Sequence, residues 1–550
     1  MPDFLKMGKK YIWIALFAII LLTGFSVYRD YGVSVDEPTE RLNDIMSYVE
    51  MNKALFHRIP PVFRDKAEEF DIASYADRYY GVAVRFPLML IEDFHFEQSG
   101  TGFSNQEIYY IRHLYCWLLY VGALLSFYFL IRRMTGKDLI ACVGVLMLFL
   151  FGRFFASSFY DVKDMVFVSL VIYSIACAER VFATNRKKRW CLLFAFYSAL
   201  AVTARVVAAI IDILMIILLL AEDIKRRSER RFSLQLLFPY LIILCAFPIY
   251  LLMSPVSWKD PIKYCMGVVN TFSSYDVFFT DLLFGGRMMR VDATHKNPWD
   301  YTIRWMFLTL PLVCMALGGI GAVLFLSRSF KKQSTSDSAG VQNTLWMAGI
   351  FFIGTLAYQI LRRPVMYNSW RHSFYLYPLL VIFAMYALDI ICKNRNVIKW
   401  ATISAVCLSL CYQAVQLVQL HPFEMVQMNP IGQTVIEEYE GDYWGLSGKY
   451  AHEWVLENDK RADIKIYGIP INSGPGPLFI PSMLTLDASD AARLRLAGIE
   501  YNPDYFETIE RVYTVPDNYE LVKQFMVYDH VPVCSIYKRI PQAETKVKGR

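Results

Sequence analysis

Three short stretches of this chain and one isolated arginine carry the residue types that proton transfer and phosphate binding require. The densest runs from Arg362 through Arg363 and Pro364 to Trp370, Arg371 and His372, with three arginines and a histidine inside one short connection. Guanidinium forks match phosphate oxygens two at a time. Contact with lipid headgroups would explain the same cluster. A second stretch reads Val35-Asp36-Glu37-Pro38-Thr39-Glu40. Pro38 suits the first turn of a helix, where its missing N–H would be unpaired anyway. Asp36 or Glu37 then stands at a helix N-terminus, able to take a proton from an incoming hydroxyl. Plain N-capping by Asp36 is the structural alternative. The third stretch, Asp161-Val162-Lys163-Asp164, puts two aspartates and a lysine at the mouth of an apolar helix. They would orient an acceptor or bind a metal, unless Asp164 simply caps the helix. Arg205 interrupts an otherwise apolar run.

The elements that position these residues are membrane helices. Hydrophobic residues make up 55% of the 550 and charged residues only 19%, below the roughly 25% usual for soluble domains. Apolar runs predict about eleven spans, near 11–27, 113–131, 139–155, 165–179, 190–204, 206–221, 235–253, 304–326, 344–361, 374–391 and 398–418. The fold class expected is therefore an all-α polytopic membrane protein with a small α/β or α+β domain at its C-terminal end. Nine of the eleven cysteines lie in or beside apolar runs, with only Cys265 and Cys534 in polar stretches. They serve as small hydrophobes rather than a disulfide framework.

Basic residues gather in every second connection: Lys6, Lys9 and Lys10; Arg132, Arg133 and Lys137; Arg186 to Arg189; Lys225, Arg226, Arg227, Arg230 and Arg231; Arg328, Lys331 and Lys332; Lys393 and Arg395. The positive-inside rule places all of these in the cytoplasm, together with the N-terminus. The net charge of +6 is thus a topology signal and not a nucleic-acid footprint. Residues 190–221 have basic flanks on both sides, so an even number of passes is needed, with a turn at Arg205 on the outer face.

The outer side then receives the loop 28–112, with amphipathic segments 38–56 and 82–94 lying in the interface plane, the short loop 156–164, the Arg205 turn, loop 254–303, loop 362–373 and the tail after about 420. The expected division is a membrane domain over 1–420 and an extracytoplasmic domain over 421–550. No N-x-Ser/Thr acceptor occurs in the outer segments, which favours a bacterial inner (plasma) membrane over the endoplasmic reticulum.

In order along the chain, the Asp36-Glu37 pair, Tyr79-Tyr80-Gly81, Val162-Lys163-Asp164, Thr203-x-Arg205, Pro298-Trp299-Asp300-Tyr301, Arg371-His372, His421-Pro422-Phe423, Asn429-Pro430 and Asp442-Tyr443-Trp444-Gly445 resemble the GT-C glycosyltransferases. The resemblance is to bacterial members related to protein O-mannosyltransferases and lipid A aminoarabinose transferases, and it covers most of residues 10–455. Val162 and Asp161 depart from the Pro and Asn common in that family, which leaves open which of Asp161 and Asp164 works.

The resemblance implies a polyprenyl-phosphate sugar donor, a hydroxyl acceptor in the envelope, and inverting transfer of a hexose or pentose at the outer membrane face. It implies Asp36 of the acidic pair as the base, and Arg371 with His372, Arg205 and Lys163 around the donor phosphate. Asp164 and Asp161 would orient the acceptor or a metal. No cofactor is implied with certainty; a divalent cation is compatible, and the lipid-linked sugar is a substrate. The competing reading is a secondary transporter or flippase, whose intramembrane acid would be Asp212. It would be expected to show internal repeats, and the sequence has none visible.

Overall fold

The computed structural model describes residues 3–225, 237–274, 279–330, 338–393, 396–468, 479–509 and 511–541. Of the basic residues used for topology, Arg226, Arg227, Arg230, Arg231, Lys331, Lys332 and Arg395 lie outside these ranges.

Apolar runs became helices, but fewer of them span a bilayer than expected. Among the described residues five helices are long and apolar enough to cross: Asn105–Thr135, Asp164–Ala183, Leu312–Phe330, Ala339–Arg362 and Val397–Leu420. A sixth exists if Asp138–Phe149 and Gly152–Tyr160, bent by 67° at their junction, form one span. The prediction of about eleven spans is thus corrected to five or six. Apolar composition counts runs, whereas a crossing of about 30 Å needs roughly twenty residues of unbroken helix. Residues 190–221 break at Arg205 into Lys188–Ala204 and Ala209–Lys225, each 17 residues long. Residues 304–326 divide at Leu310-Pro311 into Tyr301–Thr309 and Leu312–Phe330. Three further apolar helices, Tyr11–Val27, Phe238–Leu252 and Leu376–Ile391, are shorter than that requirement.

The longest helix, Asn105–Thr135, starts at a reciprocal capping box between Ser104 and Glu107 and ends at Gly136 in the left-handed conformation, the arrangement that satisfies unpaired groups at both ends. Together with Asp164–Ala183 and Leu376–Ile391 it frames a continuous core rich in Phe, Tyr and Trp. The loop after the first helix carries Glu37–Phe56 and Phe86–Ser99, which pack on each other through Ile45, Tyr48, Val49, Leu88 and Met89.

Residues 421–446 add Phe423, Met425, Trp444 and Leu446 to the large helical core. A separate small core begins with Ala451 and Val455 of the helix Gly448–Asn458. A two-stranded hairpin, β1 (Thr280–Phe284) with β2 (Arg287–Val291), precedes the C-terminal sheet. That sheet contains β3 (Ile464–Gly468), β4 (Leu494–Leu496), β5 (Tyr505–Thr508), β6 (Tyr519–Val527) and β7 (Val531–Arg539) in the order β4-β3-β5-β7-β6. β3 runs parallel to β4 and β5, while β5, β7 and β6 pair antiparallel. The small domain expected at this end is therefore a mixed sheet with helices.

Candidate active site

The helix Glu37–Phe56 buries an unusual face. Glu37, Glu40, Asp44 and Ser47 follow helical spacing, and all are buried. Buried carboxylates need cations and hydrogen bonds to offset their lost hydration. Arg85 supplies both: its Nη2 donates to Glu40 at 2.7 Å and its Nε to Asp44 at 2.6 Å. Arg112 Nη2 donates to the other Asp44 oxygen at 2.7 Å. Lys163 Nζ lies 2.9 Å from the second Glu40 oxygen. Burial alone would raise the Glu40 carboxyl, yet Lys163 and Arg85 outweigh it and bring it down to about 2. This network fixes the helix against Asp161–Asp164 and so sets where its first residues point.

Asp36 and Glu37 consequently have opposite environments. Glu37 is fully buried; its Oε2 accepts the Ser34 N–H at 2.7 Å and its Oε1 lies 3.2 Å from His113 Nε2. Asp36 makes no side-chain capping bond to the helix it precedes. Its Oδ2 instead accepts from Arg371 Nη1 at 2.9 Å, and the side chain remains 38% exposed. The same Arg371 nitrogen lies 3.3 Å from Asp164 Oδ2, while Arg205 pairs with Asp164 Oδ1. Asp164 thus holds two arginines side by side. Asp161, not Asp164, secures the helix start: its Oδ1 accepts the Asp164 N–H at 2.8 Å and the Lys163 N–H at 3.3 Å. Burial, and then the charge of Asp164, push the Asp161 carboxyl well up.

These groups meet in one cavity of about 570 Å³, lined by Asp36, Tyr79, Tyr80, Lys163, Arg205, Lys296, Tyr358, Arg362, Arg363, Tyr367, Arg371 and His372 among others. Asp36 is the single carboxylate among the described lining residues, facing six cationic side chains. Lys163 Nζ sits 3.2 Å above the Tyr80 ring, and the Arg371 guanidinium carbon lies 4.5 Å from the Trp444 ring centre and 5.0 Å from that of Tyr367. Such desolvated contacts contribute about 2 kcal/mol and hold a cation in place. Gly81 is required behind Tyr80, because a Cβ there would meet the Thr203 carbonyl oxygen at 2.4 Å. His372 is kept neutral: burial, then Arg371, Arg205 and Lys163, press its pKa well below the usual value. It offers a hydrogen bond and no charge.

Of the residues singled out from sequence, Asp36, Lys163, Arg205, Arg371 and His372 line the cavity, whereas Glu37, Asp161 and Asp164 are not among its lining residues. Glu40, Asp44, Arg85, Arg112, Lys296 and Trp444 join the assembly without having been assigned there. The stripe at 37, 40, 44 and 47 was a usable signal for the first of these; nothing local marks Lys296. Among the described residues no group of three or more His, Cys, Asp or Glu is placed to hold a metal ion. Asp36 and Asp164 share an arginine instead.

The back of the site is built by residues after the last long helix. Val35 N–H donates to the Trp444 carbonyl at 3.1 Å, which ties the acidic loop to the Asp442–Gly445 segment. Asp442 in turn accepts N–H bonds from Gly445 at 3.0 Å and Ser447 at 2.7 Å. Arg153 donates to Ser369 Oγ at 3.2 Å and Trp370 Nε1 to Thr309 Oγ1 at 2.9 Å, fixing the loop that carries Arg371.

Comparison with known proteins gives one family match. Residues 92–257 match the profile of the family described as Dolichyl-phosphate-mannose-protein mannosyltransferase; this stretch includes Lys163, Asp164 and Arg205 but not Asp36 or Arg371. No curated protein matches the chain. Among solved structures, the apo oligosaccharyltransferase of Archaeoglobus fulgidus is 11% identical, with 88% of this chain and 64% of that one covered at a TM-score of 0.48. This chain therefore spans under two thirds of that protein's length. ArnT from Cupriavidus metallidurans bound to undecaprenyl phosphate is 13% identical, with 96% and 98% covered and a TM-score of 0.43. Arabinofuranosyltransferase AftD from Mycobacteria is 12% identical, with 97% and 40% covered and a TM-score of 0.44.

Proposed function

We propose that this protein is a multi-pass membrane glycosyltransferase of the GT-C type that transfers a sugar from a polyprenyl phosphate to a hydroxyl acceptor, inverting the anomeric centre. The observation that carries the reading is Asp36, the single carboxylate among the described residues lining a cation-rich cavity, ion-paired with Arg371 at 2.9 Å. The family whose profile matches residues 92–257 is named for a lipid-phosphate sugar donor.

In the proposed step the acceptor oxygen attacks the anomeric carbon and its proton passes to Asp36. The bond from that carbon to the phosphate oxygen breaks, and its electron pair stays on the lipid phosphate. Arg371, Arg205 and Lys163 stabilise the charge that grows there, in a cavity where a cation acts more strongly than in water. Neutral His372 donates a hydrogen bond. Asp164 positions both arginines, and Asp161 fixes the turn that presents Lys163. No metal step enters this scheme.

We place the cavity and the C-terminal sheet on the extracytoplasmic side of a plasma membrane, because the basic connections at 132–137 and 186–189, which follow the spans Asn105–Thr135 and Asp164–Ala183, belong inside. The function is tested with purified protein and a panel of polyprenyl-phosphate sugars, following release of lipid phosphate. Release that depends on Asp36 and on an added acceptor supports the reading. Binding without turnover across the whole panel, together with uptake of the lipid into reconstituted vesicles, would replace it with transport.

A further inference from the structure

We propose that the mouth of this cavity binds a second phosphate, in addition to the one at the leaving group; the proposal rests on the glycosyltransferase reading above. The inner cations already have carboxylate partners. Arg371, Arg205 and Lys163 stand against Asp36, Asp164 and Glu40 through the ion pairs described. Lys296, Arg362 and Arg363 line the same cavity, yet none has a carboxylate at ion-pairing distance among the described residues. A sugar joined to a lipid through one phosphodiester brings a single negative charge. Three uncommitted cations exceed it by two, and that excess matches a further phosphate.

The three are brought together by construction. Asn297, next to Lys296, exchanges two hydrogen bonds with the Met366 backbone: Nδ2 donates to the carbonyl at 2.7 Å and Oδ1 accepts the N–H at 2.8 Å. This pins the Lys296 loop onto the segment that follows Arg363. Arg363 ends the helix Ala339–Arg362 with φ of 45°, in the left-handed region, where glycine is the favoured residue. The arginine held there lines the cavity. Arg362 closes a helix long and apolar enough to span a membrane, Tyr358 one turn earlier also lines the cavity, and Leu361 beside it is 80% exposed. The mouth thus sits at the membrane boundary, where a lipid-borne phosphate enters.

The second phosphate has two sources. It is the lipid-proximal phosphate of a diphosphate-linked donor, in which case lipid diphosphate leaves and retains the electron pair of the broken bond. Otherwise it belongs to a phosphorylated acceptor. Binding of undecaprenyl phosphate and undecaprenyl diphosphate is compared by native mass spectrometry on the full chain in neutral detergent, for wild type and for Lys296→Gln/Arg362→Gln/Arg363→Gln. These side chains are exposed and make no ion pairs among the described residues, so the variant is expected to fold, and its thermal unfolding is checked. The expected result is a preference for diphosphate of tenfold or more, lost in the variant, which assigns the second phosphate to the donor. Equal lipid binding, with saturable binding of inorganic phosphate to the monophosphate-loaded protein that the variant loses, assigns it to the acceptor. Equal lipid binding with no saturable phosphate overturns the proposal, and a variant that changes only adsorption to phosphatidylglycerol vesicles reduces the three residues to headgroup contacts. If wild type binds neither undecaprenyl lipid, the glycosyltransferase reading itself falls.

Discussion

Replacing Asp36 by Asn and Glu37 by Gln separates chemistry from architecture at adjacent positions. Asp36→Asn keeps the size and an oxygen toward Arg371 but cannot take the acceptor proton, so turnover is expected to fall by roughly 10²–10⁴-fold. Stability should hardly change. The Asp36 side chain is 38% exposed, so its ion pair is screened and contributes no more than about 1 kcal/mol. Arg371 also keeps Asp164 at 3.3 Å. Glu37→Gln has the opposite signature. Glu37 is fully buried against Ser34 N–H and His113, and exchanging one charged acceptor for an amide costs about 1–3 kcal/mol. Thermal unfolding should shift down while turnover per folded molecule stays within a few-fold. The assay is initial-rate release of lipid phosphate at saturating donor, beside thermal unfolding of the same preparations. Near-normal turnover in D36N would remove Asp36 from the chemistry. Near-normal turnover in D36N with collapse in E37Q at unchanged stability would move the base one residue along, against the burial argument.

Arg371→Lys retains charge but loses the planar group that reaches Asp36 and Asp164 together and stacks on Trp444; turnover should drop tens-fold or more, and equal catalytic efficiency in wild type, R371K and R371A would exclude the role. Gly81→Ala places a Cβ against the Thr203 carbonyl, so Tyr80 and Lys163 must shift; reduced activity with raised donor KM is expected, and an unchanged enzyme would refute the need for that close approach. Glu440 is pushed up to about 7 from an ordinary value of 4.5, chiefly by burial, against the Ser369 N–H, Arg371 and Arg153. The folded state therefore holds this proton more tightly than the unfolded one, and stability falls as pH rises from about 4.5 to about 7, by on the order of 1–3 kcal/mol. Glu440→Gln should flatten that part of the pH–stability curve and raise the unfolding temperature at pH 8 relative to wild type; parallel curves would refute it.

The sequence alone determined the class of solvent. Apolar runs separated by basic connections specify a polytopic membrane protein, because a bilayer imposes that pattern residue by residue. It also marked the break at Arg205, a β-containing tail, and the stretches around Asp36, Lys163, Arg205 and Arg371, since each is a local departure from apolar or topological expectation. The number of spans was beyond it: composition does not reveal that Leu150 and Leu310 interrupt helices, because helix continuity depends on what packs against the break. Tertiary structure alone turned Asp36 into the cavity and Glu37 onto His113. It did so because Glu40 and Asp44, one and two turns on, are clamped by Lys163, Arg85 and Arg112 from distant elements. Two neighbouring carboxylates are chemically alike in a sequence. The cations that meet them across gaps of tens to hundreds of residues are what make them different.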